Sequence, residues 1–550
     1  MENTKTNTPP VDQIRDLPVA LQTIAKALHK ERHLKPADMR RIVLDAQVTE
    51  DDIRPWADYE HPVSDSYGRR LIYQGDNFEI MTMSWLPGDF STIHDHGYTQ
   101  WGCVQVFGPA EHATFRMDDQ RISTLARWQM QPGEAIGVHH DLLHQMGNAT
   151  TQPFQSLHVY GKVEDIDNVT GDARILDLER QEIQIVDGGV FFALPESAVK
   201  KTLPAPPADF PTRLRHLVEL TRRLRRMQAA GVEGADERIG QVLALLEDAD
   251  QKDRLLQELQ LYTDAHGHHT HSVFWRNLIW ELREAAKLQR DRPTEETAND
   301  HFHRYAELYD AVIGQPCLDQ FQAAYLRYFH ENIQAFTDQT ILSLGVGTGL
   351  TEAFLMQELQ VHKARIYGID ISSAMVEVAR QRLSADEGDI LTLDPTVRTW
   401  DIAYSGLNVF HYLPHEQLNE AIARTAAVLN AGGYFLGDFI TPDHIRWYPN
   451  VLYATDQQII SLRTPRLVED QGRMFQESEI VNVDFRSQRM HVTYAGKHRR
   501  FLPPMHRVRQ YFEQNFAEVT LFDAHSLKEI PEWADSCPST RYIVVARKEG

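Results

Sequence analysis

His94 and His96 stand two apart in GDFSTIHDHGYTQWGCVQVFG, which runs from Gly88 to Gly108. On a strand, residues two apart share a face. Two imidazoles on one face can hold one divalent ion through their ring nitrogens. His144, in DLLHQMGN, offers a third nitrogen from a later stretch. Ser156, His158 and Tyr160 alternate along SLHVYG, so a hydroxyl, an imidazole and a phenol share a face. A lone histidine is more often a satisfied core or surface residue, and the Ser-His-Tyr set alone could be a polar patch inside a β structure. The His-x-His pair with a third histidine and a following Asn148 shifts the balance toward metal.

A second set of residues points to a nucleotide-bearing cofactor. ILSLGVGTG is an apolar run ending in Gly345, Gly347 and Gly349, with a helical pattern, TEAFLMQEL, behind it. Glycines let the backbone turn tightly and approach a ligand, and a helix N-terminus offers unpaired N–H groups. The motif alone serves a dinucleotide equally well. RIYGIDIS brings a second apolar run to Asp370 and Ile371, where a carboxylate can accept from ribose hydroxyls. EGDIL then places Asp389 for an adenine amino group and Ile390 to pack on the ring.

These residues need elements to hold them. Val11 to Ala57 carries apolar residues at helical spacing. From Tyr67 to Ala193, short apolar or alternating runs separated by Gly, Pro, Asn and Asp predict many strands. The Pro-rich LPAPPADFP is a stiff break, followed by amphipathic helices to about Arg290. From Ile341 onward strands and helices alternate, as in a doubly wound α/β domain. The expected divisions are residues 1–60 (helical), 61–202 (all-β), 203–295 (linker and helical spacer) and 296–550 (α/β).

Composition narrows the function. The 550 residues exceed one hydrophobic core. A net charge of -22 argues against nucleic acid as the main partner, since phosphate contacts need clustered Lys and Arg. No apolar run is long enough to span a membrane. Three scattered cysteines and an N-terminus without an apolar core lead to the expectation of a reducing, cytoplasmic compartment. Small molecules are the expected substrates; the sequence does not set the oligomeric state.

Gly88, His94-Asp95-His96, Gly108 and His144 with Asn148 resemble the two cupin motifs. The usual carboxylate ligand is absent, with Trp101 in its place, and the second motif lacks its usual Pro-x-Gly. With three histidines, the Ser156–His158–Tyr160 set and Tyr67-Gly68-Arg69, the region from Tyr67 to Val163 resembles the cysteine dioxygenase (thiol dioxygenase) family. The resemblance implies a cupin barrel holding Fe(II) on His94, His96 and His144. Arg69 would clamp a substrate carboxylate, with Arg70 as the out-of-register alternative. Ser156, His158 and Tyr160 would form a relay for the oxidation of a small thiol, cysteine or a related mercapto acid, to a sulfinate with O2. Animal members carry a cysteine cross-linked to the tyrosine. Here the aligned residue is Trp101, with Cys103 two residues later on the same face, and no cross-link is expected.

The strand order from His301 to Lys548 resembles the class I S-adenosylmethionine-dependent methyltransferases, with Ser343 where that family often has an acid. It implies S-adenosylmethionine as cofactor and a small-molecule methyl acceptor. FHRYAELYD makes Tyr305 and Tyr309 lid candidates, and His411 and Tyr412 fall near the expected mouth. The insertion from Thr441 to Pro504, with Arg446, Trp447, Tyr448 and Arg463, is expected to shape the acceptor pocket and suits an acidic acceptor or a solvated lid. The expected whole is multidomain: an N-terminal all-β cupin barrel, a central α-helical region and a C-terminal Rossmann-like methyltransferase domain. The expected function is bifunctional; the alternative is a methyltransferase with a regulatory or ligand-binding cupin module. AHGHHTHS reads as surface histidines, and RRLRR, Arg222 to Arg226, as a solvated helix face.

Overall fold

The computed structural model describes residues 8–31, 33–163, 169–266, 272–289, 302, 306–447, 451–454 and 456–550. The chain divides into two compact units, one made of Met1–Ala265 and His271–Leu288, the other of His266–Thr270 and Gln289–Gly550.

In the first unit the strands sort into two sheets. One runs, in spatial order, Gly68–Gln74, Phe78–Trp85, Phe154–Gly161, Trp101–Val106 and Ala135–Val138. The other has seven strands, with Ile93–His94 and His144–Gly147 side by side near its middle. The described strands form these two sheets rather than the single closed barrel expected. The strand FEIMTMSW is buried along its whole length because both its faces are covered. Phe78 and Ile80 pack with Leu21, Ile24 and Leu28 of the N-terminal helices, while Met81, Met83 and Trp85 face a core shared with the second sheet.

The helices expected as a spacer fold onto the first unit. Asp209 caps the helix Phe210–Ala229 by accepting from Thr212 N at 2.9 Å, and Pro211 suits its first turn. That helix is buried on several sides because its cations find carboxylates on the strands. Arg215 reaches Glu111 at 2.5 Å, and Arg127 bonds both Glu111 and Glu281 of the helix Val273–Ala286. The RRLRR run is likewise no solvated face: Arg223 is 3% exposed and, with Arg226, holds the buried Asp89 at 2.7 Å. Helical periodicity alone shows none of this, since the partners lie more than a hundred residues away. The histidines at 268, 269 and 271 lie outside the described residues.

The second unit is built on a seven-stranded sheet in the order Ser384–Glu387, Ile366–Asp370, Ile341–Leu344, Trp400–Ser405, Leu429–Ile440, Arg541–Arg547 and Glu518–Asp523. The first five are parallel and Arg541–Arg547 is antiparallel to both neighbours. The order reverses between Ile341–Leu344 and Trp400–Ser405, and a ligand crevice is expected outside the carboxyl ends of strands at such a point. The insertion forms an antiparallel sheet of Val451–Tyr453, Ile459–Asp470, Arg473–Asp484 and His491–Phe501. Among the described residues no helix is long and apolar enough to cross a membrane.

Candidate functional sites

The strands Ile93–His94 and His144–Gly147 pair directly, with His94 opposite His144. His96 follows on a turn that Asp95 fixes: its carboxylate accepts from Gly97 N at 3.1 Å and Arg174 N at 2.8 Å, and it pairs with the Arg174 guanidinium. The imidazoles of His94, His96 and His144 converge, with ring centroids 4.6 to 5.3 Å apart and one nitrogen from each within 4.8 Å of the others. His94 Nδ1 lies 2.9 Å from the carbonyl of Thr92, which can only accept. The proton is therefore on Nδ1, and the Nε2 lone pair is free. Both ring nitrogens of His96 are buried without a hydrogen-bond partner. Buried polar atoms are rarely left so, and three neutral imidazoles of this kind fit a divalent transition metal such as Fe(II). Burial holds all three in the neutral, ligating form: it pushes His94 down to about 4 and His96 and His144 well below the ordinary value.

One positioning residue escaped the sequence reading. His112 Nε2 is 2.8 Å from His144 Nδ1. With His112 accepting, His144 keeps its Nε2 lone pair free. The only sequence signal was a histidine within the alternating run AEHATFRM at 110–117.

The relay residues lie on the strand Phe154–Gly161. Ser156 Oγ is 2.7 Å from His158 Nε2, and His158 Nδ1 is 2.7 Å from the Tyr160 hydroxyl. Trp85 Nε1 donates to Ser156 Oγ at 2.8 Å and anchors the far end. The Tyr160 ring lies 5.5 Å from that of His96. Burial raises the Tyr160 phenol and, with Arg69 nearby, lowers His158 to about 3, so both are neutral. Arg69 bonds Thr170 Oγ1 at 3.2 Å, while Arg70 turns away to Asp58. The residue beside Tyr160 is neither Trp101 nor Cys103. Both pack with the N-terminal helices, and Gly102 is the cross-strand partner of Tyr160. A Cβ at Gly102 would come within 2.9 Å of the Tyr160 ring.

In the second unit, a cavity of about 520 Å³ lies at the reversal point. Gly345, Gly347, Asp370, Ile371, Asp389 and Ile390 line it. Gly349 does not; its φ of +77° starts the helix Leu350–Gln357, and a Cβ there would strike Leu383. Gly347, at φ +56°, has no atom within 4 Å of where a Cβ would stand, so the backbone leaves room for a ligand. Asp370 accepts from Gly347 N and Ser372 N at 2.8 and 2.9 Å, holding the glycine loop. Asp389 accepts from Leu391 N at 2.9 Å.

The acid absent at position 343 arrives from the helix. Ser343 Oγ donates to Glu352 Oε1 at 2.6 Å, while Glu352 Oε2 is buried without a partner and the residue lines the cavity. Burial pushes this carboxyl up to about 7. Three lining carboxylates, Glu352, Asp370 and Asp389, suit a ligand with cationic groups, as S-adenosylmethionine has in its sulfonium and ammonium.

Toward the insertion, Tyr309 and Tyr412 line the same cavity. Tyr412 accepts from Arg500 Nε at 2.8 Å and lies 3.2 Å from His498 Nδ1. His411, expected near the mouth, is a structural residue: its Nδ1 meets the Phe501 carbonyl at 2.6 Å and its Nε2 accepts from Ile440 N at 3.0 Å. Arg463 is buried beside Ser461. Tyr305 and Tyr448, and the side chains of Arg446 and Trp447, lie outside the described residues.

Residues 341–433 match the profile of a family described as "Methyltransferase domain". An uncharacterised methyltransferase of Bacillus cereus is 26% identical over 210 residues, 36% of this chain and 91% of that protein. Another, from Bacillus cytotoxicus, is 29% identical over 143 residues, 24% of this chain and 63% of that protein. A solved S-adenosylmethionine-dependent methyltransferase from Clostridium acetobutylicum aligns at 16% identity over 46% of this chain and all of that one, with a TM-score of 0.36. Residues 341–433, in the C-terminal part of the chain, carry a methyltransferase domain.

Proposed function

We propose that the chain is a bifunctional enzyme: a cupin-type, Fe(II)-dependent thiol dioxygenase in its first unit and a methyltransferase acting on a related small metabolite in its second. The observation that carries the first half is the meeting of His94, His96 and His144, with both ring nitrogens of His96 unpartnered, beside a hydrogen-bonded Ser156–His158–Tyr160 chain. A structural histidine cluster would have its nitrogens satisfied.

His94, His96 and His144 would hold the iron, which when bound binds and activates a thiolate and dioxygen. The protein's own groups do the rest. Arg69 binds the substrate carboxylate by charge-assisted hydrogen bonds. When Ser156 donates to His158 Nε2, His158 Nδ1–H donates to the Tyr160 oxygen and the phenol O–H is left to point toward the histidines. Tyr160 can then hold or give a proton at the reacting oxygen. The buried walls, including Met81, Met83 and Trp85, exclude bulk water.

In the second unit the cofactor supplies an electrophilic methyl group on its sulfonium. The glycine loop, Asp370, Asp389 and Glu352 orient it, and Tyr309, Tyr412 and the insertion bound the acceptor. A thiolate or sulfinate acceptor needs in-line positioning rather than a general base.

The test is product mass spectrometry with an oxygen electrode, using the full chain, Fe(II), S-adenosylmethionine and a panel of small thiols. Thiol-dependent oxygen uptake giving a sulfinate supports the reading. Methyl transfer without oxygen uptake for any thiol, and modulated by ligands of the first unit, leaves a methyltransferase with a regulatory cupin.

A further inference from the structure

Arg213 and Arg215 stand two apart on the helix Phe210–Ala229, so they leave it on nearly opposite sides. Arg215 is paired with Glu111 and Glu281. Arg213 instead lines a cavity of about 590 Å³ in the first unit. The helix Asp250–His266 and the residues just before the strand Ile122–Met130 also line it. Three guanidiniums reach this cavity, from Arg121, Arg213 and Arg254. Among the described residues Glu258 is the one carboxylate in its lining, and it is paired with Arg121.

Arg213 and Arg254 have no such partner. Among the described residues neither guanidinium makes a hydrogen bond, and neither has a carboxylate within 4.0 Å. The acids whose charge reaches Arg213 are engaged elsewhere: Glu179 pairs with Arg238, and Asp248 accepts from Asp250 N at 3.1 Å. Burial, and then the like charge of Arg254, hold the Arg213 guanidinium below its ordinary range. The rest of the helix behaves differently, since Arg215, Arg222, Arg223 and Arg226 each meet a carboxylate. A half-buried guanidinium offers five N–H donors, and withdrawing it from water unpaired is unfavourable. An anion in the cavity would remove both that cost and the repulsion.

The charge of the anion follows from the lining. Three cations and one carboxylate leave two positive charges, which a dianionic group balances. The planar fork of arginine suits two oxygens on one centre. A phosphoryl group carries about -1.5 to -2 charges near pH 7 and three strong acceptor oxygens. Phe210, Leu214, Leu217 and Leu261 add an apolar wall, with Leu261 50% exposed beside it. That wall suits an organic body rather than a bare ion.

We propose that this cavity binds a small phosphate monoester, with Arg213 and Arg254 on the phosphoryl oxygens and the apolar wall against its carbon skeleton. The site shares no residue with the three histidines, the Ser156–His158–Tyr160 chain or the methyltransferase cavity.

Titration calorimetry of the full chain at constant ionic strength tests this with phenyl phosphate, benzoate and inorganic phosphate. The first two share a ring and differ in charge; the third lacks the ring. Phenyl phosphate should saturate at one per chain and bind at least about tenfold tighter than benzoate. It should also bind more tightly than inorganic phosphate. Arg213→Gln and Arg254→Gln should each weaken phenyl phosphate about tenfold or more. Without ligand, Arg213→Gln should melt no lower than the wild type, because it removes an unpaired charge. A lower melting temperature would assign Arg213 to folding and overturn the proposal. So would unsaturable binding of phenyl phosphate by the wild type, or unchanged affinity in both variants, which would seat the probe elsewhere. Equal binding of benzoate would overturn the dianion, and equal binding of inorganic phosphate the apolar wall.

Discussion

The first unit makes its candidate site from side chains and the second makes its own from backbone. His94 and His144 come from two paired strands, His96 from the turn after the first, and all three matter for their ring nitrogens. Gly345 and Gly347 matter for what they lack: both have positive φ angles, a Cβ at Gly345 would strike Val409, and the space beside Gly347 is open to the 520 Å³ cavity. A side-chain site depends on strand register and on every inward neighbour. In the second unit a carboxylate still reaches the cavity although position 343 is Ser, because Ser343 donates to Glu352, which lines it. The first site is buried; the second is a cavity at the ends of parallel strands.

The contrast can be broken at several points. The largest effect is expected from Arg215→Met. It strips the buried Glu111 and Glu281 of a partner, and losing one member of a buried ion network costs about 3–5 kcal/mol. Calorimetry should show the first unit's transition lowered and S-adenosylmethionine affinity unchanged; parallel losses in both would contradict two independently built sites. Gly102→Val should come next. Its side chain collides with Tyr160 and the Val159 carbonyl, for about 1–3 kcal/mol, and thiol-dependent oxygen uptake should fall with methyl transfer intact.

Gly347→Ala is the matching change in the second unit. It costs only about 1 kcal/mol of left-handed strain but puts a methyl group into the open space. Calorimetry should show weaker S-adenosylmethionine binding with little change in melting. The smallest effect is in pH. The Glu352 carboxyl, raised to about 7 by burial, binds a proton in the folded state that the unfolded chain has already released. Its contribution to stability is therefore full below about pH 4.5 and is lost as pH rises through about 7. A cationic cofactor favours the ionised form, so S-adenosylmethionine affinity should rise from pH 6 to 8. Glu352→Gln should flatten that rise.

The architecture of the second unit was legible because apolar runs, glycines and acids recur in chain order, with Gly345, Asp370 and Asp389 all reaching one cavity. In the first unit the hydrogen-bonded run of Ser156, His158 and Tyr160 was legible from period-two alternation, which is local, whereas His94 and His96 meet although His96 lies past the end of the strand. What failed was counting across a turn. Trp101 was aligned with the position beside Tyr160, but Gly97 to Gln100 form a turn, so face alternation starts anew at Trp101 and brings Gly102 there. His411 fell near the mouth by position, yet both its nitrogens are taken by backbone groups distant in sequence. The helices at 210–286 read as a spacer because their buried ion pairs, Arg215 with Glu111 among them, join residues no periodicity connects. Glu352 escaped notice for the same reason: a carboxylate acquires meaning only from what surrounds it.

The central claim is that His94, His96 and His144 form one metal site independent of the methyltransferase cavity. Iron analysis of the anaerobically reconstituted full chain, beside S-adenosylmethionine titration of the same sample, tests it directly. The wild type should hold one Fe(II) per chain, and His96→Ala should lose it while binding the cofactor with unchanged affinity. Iron retained by His96→Ala, or none held by the wild type, would contradict the account.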